Sequence, residues 1–389
     1  MELKEIEALF LRNKEQDLFG RYITSNIISN PLKRVAKKTS VVQIGNSEKG
    51  LPINFIQIGN GIKRILFWSQ MHGNESTTTK AVFDLCNTLL NSEELFIEGV
   101  KSSCTIGIIP MLNPDGARLY TRNNANDIDL NRDAQSLSQL ESQVLRKCFD
   151  SFKPDFCFNL HDQRTIFSAG KYPKPATISF LAPTQDEERS ITKNRKDAMS
   201  IISGLNNLMS EIIPGCVGVY DDSFNINCVG DYFQSKGVPT ILFEAGHFSN
   251  DYDREYTRYL IYACLLKSVE LISNSSYQNI DYKNYFDIPQ NEKLFLDVII
   301  RSAKIKNEDN LVDLGFQFLE ILKNQKIEFI PKLEKISGLE DYYGHHEIQA
   351  NGNEVSGANG DSLRIGYLND FVLNNYEITL LKSENNSIS

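Results

Sequence analysis

Arg64-Ile65-Leu66-Phe67-Trp68-Ser69-Gln70-Met71-His72-Gly73-Asn74-Glu75 is the stretch on which the fold turns. Residues 65–68 are an unbroken apolar run, of the length and composition of a strand covered on both faces. The run ends in Met-His-Gly-Asn-Glu, and residues 76–91 continue with a helical pattern that Ser76 or Thr77 can cap. A buried strand that delivers polar residues at its carboxyl end and then enters a helix is the unit of an α/β sheet. Ligands bind there, beyond the carboxyl ends of the strands.

Working outward, residues 41–44 and 53–58 are short β-prone runs punctuated by Gly45, Gly50, Gly59 and Gly61, a hairpin feeding the strand at 64–68. Downstream, runs at 104–111, 156–161, 177–181 and 240–244 read as strands, and 139–149, 187–213 and 254–272 as helices. This alternation predicts a three-layer α/β/α fold around a mixed, mostly parallel sheet. Leu3, Ile6, Leu9 and Phe10 have helical spacing, so residues 1–35 read as an N-terminal helical extension and 36–275 as the main domain. The polar stretch 273–285 reads as a linker. Residues 285–389 then read as a small C-terminal α+β domain, with a helix at 311–322 and Gly/Asn-rich turns at 351–361.

The 389-residue chain is 41% hydrophobic and 23% charged, which excludes disorder and collagen as its main state. Its 41 Lys+Arg against 50 Asp+Glu leave a net charge of −9, and no basic stripe stands out, so no nucleic-acid partner is expected. No apolar run approaches the ~20 residues of a membrane helix, so no membrane partner is expected either. The seven cysteines are odd in number and include no Cys-x-x-Cys pair. Charges are scattered through the N-terminal residues, without the apolar core of a signal peptide. Both features predict reduced thiols and a cytoplasmic location.

Four stretches carry chemistry. His72 and Glu75, three residues apart at a strand end, can aim an imidazole and a carboxylate at one point, a pairing that suits zinc. His-x-x-Glu alone is common by chance, but Asn159-Leu160-His161-Asp162 ends another predicted strand. Two histidines and a glutamate make the three-ligand pattern of a catalytic zinc with an open position. Asn113-Pro114-Asp115-Gly116 is strong turn chemistry. It precedes Arg122 and Asp129-Leu130-Asn131-Arg132, which offers a guanidinium suited to bidentate carboxylate capture. Finally, Thr240-Ile241-Leu242-Phe243-Glu244 is an apolar strand ending in a carboxylate that can serve as general base beside a cation.

In this order the four stretches resemble the zinc carboxypeptidases, the M14 metallocarboxypeptidase family, over about residues 60–265. The resemblance implies one zinc ion held by His72, Glu75 and His161, with Asp129 fixing the tautomer of His72. It implies that Asn131 and Arg132 hold a substrate's terminal carboxylate, that Arg122 stabilises the oxyanion and that Glu244 is the general base. Tyr220 resembles the family's mobile tyrosine that closes over substrate. After His161 the chain reads Asp-Gln-Arg-Thr, where digestive members commonly have Ser-Tyr, and the segment after about residue 280 has no counterpart. The expected activity is hydrolysis of the C-terminal bond of a peptide by a zinc-activated water. Two neighbouring chemistries share the ligand set and the arginine: deacylation of N-acyl amino acids, in the manner of aspartoacylase, and cleavage of cell-wall-derived peptides. In both, the substrate carries a free carboxylate. A zinc- and carboxylate-binding module without catalysis is the alternative outside enzymes; the presence of both Glu244 and Arg122 speaks against it.

Overall fold

Residues 65–68 are wholly buried, and they divide between two cores. Ile65 and Phe67 join the larger hydrophobic cluster on one face of the sheet, while Leu66 and Trp68 join a second cluster on the other. Successive strand side chains point to opposite faces, so a run apolar at every position needs a layer of helices on each side. The computed structural model describes residues 2–306, 308–373, 376–378 and 382–383.

In chain order the elements begin with α1 (Leu3–Asn13), α2 (Ser25–Ala36), β1 (Ser40–Asn46), β2 (Pro52–Ile58), β3 (Lys63–Ser69), α3 (Thr77–Asn91), α4 (Leu95–Ser103) and β4 (Cys104–Ile109). Next come α5 (Pro114–Leu119), a 3-10 turn at Leu130–Arg132, α6 (Leu140–Phe152), β5 (Phe156–Asp162), β6 (Ser168–Ala169), β7 (Ile178–Leu181), α7 (Lys193–Ile212), β8 (Val217–Val219), α8 (Val229–Ser235), β9 (Thr240–Ala245) and α9 (Glu255–Ser273). The C-terminal region adds β10 (Asn291–Glu292), β11 (Phe295–Ala303), β12 (Val312–Lys323), β13 (Lys326–Ile336), β14 (Tyr343–Gln349), β15 (Val355–Gly357), β16 (Phe371–Leu373), β17 (Tyr376–Ile378) and β18 (Lys382–Ser383).

The main sheet has eight strands in the order β1-β2-β4-β3-β5-β9-β7-β8. Its four central strands, β4, β3, β5 and β9, run parallel, and β1, β2 and β7 pair antiparallel at the flanks. The carboxyl ends of β3, β5 and β9 therefore lie side by side. One helical layer contains α3 and α9; the other contains α6 and α8.

The N-terminal helices share the main core: Ile6, Leu9, Phe10, Ile28 and Val35 belong to the cluster that covers one face of the sheet. The segment between them is pinned by Arg258 of α9, which donates to Glu15 O and Leu18 O and pairs twice with Asp84 of α3, at 2.6 and 2.7 Å. Both members of that pair are fully buried. Removing one partner of such a pair costs about 3–5 kcal/mol.

Three expectations change. The helix predicted from residue 187 begins at Lys193. The predicted linker at 273–285 forms two 3-10 turns, Ser276–Asn279 and Tyr282–Asp287, whose Tyr277 and Tyr285 are buried against the body of the domain. The helix predicted at 311–322, and with it the α+β character of the C-terminal region, gives way to strand β12; the described residues there are strands and 3-10 turns. Leu311, Leu314, Phe318 and Leu322 have helical spacing, but Val312, Leu314, Phe316 and Phe318 alternate, and these four enter the C-terminal core together. Pairing with β11 and β13 selected the period of two. Among the described residues no helix is long and apolar enough to cross a membrane.

Candidate metal centre

His72 lies three residues beyond the end of β3, in a turn that the local sequence braces tightly. Gln70 sits in the left-handed region at φ 50°, a costly conformation for a residue with a Cβ. Its side chain repays that strain: the amide nitrogen donates to Ile23 O and Gly73 O, and the amide oxygen accepts from Thr79 Oγ1. Gly73 passes so close to Gly116 that a Cβ on it would meet Gly116 carbonyl carbon at 1.9 Å. Asn113 joins the two motifs. Its Oδ1 caps α5 by accepting from Gly116 N, and its Nδ2 donates to Met71 O. Asn-Pro-Asp-Gly is thus the first turn of a helix with proline at its favoured position, and it holds the His72 loop in place.

His161 and Glu244 face each other directly in the register of β5 and β9. Phe158 and Leu160 enter the core on one face, so His161 turns to the other. On β9 the alternation is the same, with Ile241 and Phe243 in that core and Glu244 turned with His161.

Three donors converge. His72 Nδ1 is 2.8 Å from Glu75 Oε1, His161 Nδ1 is 2.8 Å from Glu75 Oε2, and the two Nδ1 atoms are 3.1 Å apart. All three side chains are buried, and among the described residues they form the cluster whose ligand atoms could share a metal ion. His72 Nε2 is 3.0 Å from Asp129 Oδ1 and has its proton there. Its Nδ1 then presents a lone pair to the Glu75 carboxylate oxygen, which likewise offers only lone pairs. A cation between them resolves this opposition. Tetrahedral zinc with bonds of about 2.0–2.1 Å would place its donors about 3.3 Å apart, close to the observed separations. The donor set fits one zinc ion.

The electrostatics agree. Burial would raise the Glu75 carboxyl, but the two imidazoles beside it outweigh burial and hold it far below the carboxylate range. Burial also opposes ionisation of Asp129, yet His72 and Arg122 keep its carboxyl well below its ordinary value. Glu244 goes the other way: burial first, then the nearby Glu75 and Asp162 charges, push it well above the carboxylate range. Its Oε2 is buried with no hydrogen-bond partner among the described residues.

These groups line a cavity of about 820 Å3, with Arg122, Asn131, Arg132 and Tyr220 on its walls. Arg122 donates through Nε and Nη2 to Asp129 Oδ2, and its Nη1 is 3.3 Å from Glu75 Oε1. Asn131 uses its Oδ1 to accept from Val229 N of α8, and Arg132 Nη1 donates to Asn131 O. The Tyr220 hydroxyl donates to Gln163 Oε1 at 2.7 Å. Every sequence-predicted site residue is therefore at this cavity or, for Asp129, hydrogen-bonded to a residue that lines it.

Other residues carried no such signal in the sequence. Asp162 accepts from Thr77 N and Oγ1, while its own N–H donates to Glu75 Oε2. Gln163 receives Tyr220 and bonds Ala176 O. Arg254, fully buried, holds Ala245 O and Gln163 O. Adjacency to His161 and Glu244 is the clue that could have found the first two. The histidines outside the constellations are also placed. His247 is buried against Tyr252 and His345, and His345 Nε2 lies 2.8 Å from Thr165 O.

A zinc carboxypeptidase family model matches residues 28–203, a span that contains His72, Glu75, Arg122, Asn131, Arg132 and His161 and ends before Tyr220 and Glu244. Carboxypeptidase SOL1 of Arabidopsis thaliana is 28% identical over 129 residues, 30% of this chain and 26% of that protein. Gamma-D-glutamyl-L-diamino acid endopeptidase 1 of Lysinibacillus sphaericus is 33% identical over 104 residues, 24% of this chain and 26% of that protein. The chain thus spans about a quarter of the length of these curated relatives. Among solved structures, a metallo-carboxypeptidase from Burkholderia cenocepacia superposes with a TM-score of 0.54 at 18% identity, over 66% of this chain and 70% of that one. Carboxypeptidase A from Helicoverpa armigera gives 0.52 at 15% identity, over 70% and 81%. These likenesses establish a shared fold. The matched sequence contains the three donors that the structure draws together, so over residues 28–203 the chain is similar to the zinc carboxypeptidases in both sequence and metal-donor set.

Proposed function

We propose that this protein is a zinc-dependent metallocarboxypeptidase that hydrolyses the C-terminal bond of peptides. One observation carries the reading: His72, Glu75, His161, the buried Glu244 carboxylate and the Asn131–Arg132 anchor come from distant stretches of chain and line one cavity. When bound, zinc supplies the Lewis acid of the reaction, polarising the scissile carbonyl and acidifying water at neutral pH. Asp129 keeps the His72 proton on Nε2 and so leaves Nδ1 free to ligate. Arg132 and the Asn131 amide pair with the terminal carboxylate of the substrate and hold the scissile bond in register. Glu244 takes the proton of the attacking water as the C–O bond forms, then gives it to the amine nitrogen as the C–N bond breaks. Arg122 donates to the oxyanion, and the Tyr220 hydroxyl closes over the substrate.

Support also comes from cost. A guanidinium without its anion in a substrate cleft is penalised, so internal positions and amidated ends are poor substrates. The test pairs an N-blocked dipeptide with its C-terminal amide. The free acid is cleaved, the amide is not, and Glu244→Gln loses about 100- to 10,000-fold in kcat while retaining zinc. Equal cleavage of the amide sinks the reading. The same assay decides a second reading, hydrolysis of N-acyl amino acids or γ-glutamyl cell-wall peptides, which the likeness to a γ-D-glutamyl endopeptidase supports. Faster turnover of N-acetyl-aspartate or a γ-D-glutamyl dipeptide would select it. We propose a cytoplasmic setting as well, on the support of seven free thiols; fractionation of tagged protein checks it.

A further inference from the structure

We propose that the C-terminal β region is the far wall of the substrate cleft and restricts the enzyme to short substrates. The proposal rests on the carboxypeptidase reading above. The cavity that contains the metal donors is also lined by Gln317, Phe318, Leu319 and Glu320 of β12. These residues lie far beyond the matched segment, on the element that the sequence reads as a helix.

The wall and the carboxylate anchor bracket the metal donors. Asn131 lies two residues from Asp129, on the Nε2 side of His72. On the other side, Glu75 accepts from Asp162 N, and Asp162 accepts from Thr77. Ser76, next to Thr77, donates to Arg21 O, and the Arg21 guanidinium pairs twice with Glu320, at 3.1 Å each. A peptide anchored by its terminal carboxylate and crossing the metal site therefore meets β12 with the residues on the N-terminal side of the scissile bond.

This wall is built in. Tyr120 and Tyr252 of the α/β body share a core with Phe316, Phe318 and Phe329. The Tyr120 hydroxyl also donates to Glu320. The loop after His161 is stapled to the β region: Thr165 Oγ1 donates to Asp297, His345 Nε2 meets Thr165 O, Phe295 N donates to Ile166 O, and β6 pairs with β10. Swinging β12 aside would separate a half-buried ion pair and divide a hydrophobic core. The cleft between this wall and the metal donors holds about 820 Å3, within the usual range of ligand pockets.

The experiment uses zinc-loaded full-length protein and peptides sharing one C-terminal dipeptide, extended at the N-terminus from a single acyl group to ten residues. We expect kcat/KM to fall by about 100-fold between three and ten residues, the order by which a hydrophobic wall rejects added bulk. The decapeptide should also fail to inhibit hydrolysis of the tripeptide, which needs no variant to be read. In Leu319→Ala the ratio of decapeptide to tripeptide kcat/KM should rise. Equal turnover at all lengths, or inhibition by the decapeptide at concentrations near the tripeptide KM, overturns the wall and leaves the carboxypeptidase reading standing. No turnover at any length overturns that reading and the wall with it.

Discussion

The carboxyl edge of the parallel sheet and the inner edge of β12 line the same cavity, yet they were written into the chain differently. On the sheet edge, His72, Glu75, His161 and Glu244 each lie at or just past the end of an apolar strand, so chemistry and position coincide in a few residues. On β12, Gln317, Leu319 and Glu320 are ordinary residues whose place in the cleft follows from docking one region against another. The difference separates sites made by strand ends from sites made by interfaces. Only the first has a local signature.

Substitutions can break or sharpen this contrast. The largest effect belongs to the sheet edge: His161→Ala should lose both bound zinc and turnover, and a variant with unchanged zinc by metal analysis would remove the ligand assignment. Next comes the core behind that edge. Asp84→Ala strands the buried Arg258 guanidinium and should cost about 3–5 kcal/mol of unfolding free energy, read by denaturant titration, with zinc still bound.

The interface comes third. Asp297 is buried and accepts from Tyr252 OH, Phe318 N and Thr165 Oγ1. Burial pushes its carboxyl up to about 6, against the hydrogen bonds that favour the anion. The folded protein therefore binds this proton more tightly than the unfolded chain. Its contribution is complete below the unfolded value near 4 and is lost as pH rises through about 6, at roughly 1.4 kcal/mol per unit of pKa difference. Asp297→Asn should flatten this part of the stability profile between pH 4 and 6 relative to wild type; identical slopes would refute the assignment. The smallest effect is expected at Asp129→Asn. Loss of the anionic partner of His72 should weaken zinc affinity about 10- to 100-fold, measured by chelator competition.

Individual residues show where reading the chain succeeds. His72, Glu75 and His161 were legible because each lies at or just past the end of a recognisable strand, and strand ends in such sheets are neighbours. Asn113 was legible only as a turn former. That it also fastens the His72 loop through Met71 O depends on β3 and β4 lying side by side. Gln70 gave no sign of its left-handed backbone, since three hydrogen bonds from non-adjacent residues hold it there. Residues 311–322 satisfy both a helical and an alternating pattern, and the partners β11 and β13 chose between them. Tyr277 and Tyr285 lie in a polar stretch whose composition hides the burial of both rings.

By itself the sequence determined the α/β class and pointed to the metal donors, because each rests on short-range order: apolar runs, turn chemistry and residues a few positions apart. The tertiary structure alone decided that Asn113 fastens the His72 loop, that the N-terminal helices complete the main core, and that β12 lines the cleft. Those features depend on contacts between residues tens to hundreds of positions apart, and the free energy of such contacts is absent from any local pattern.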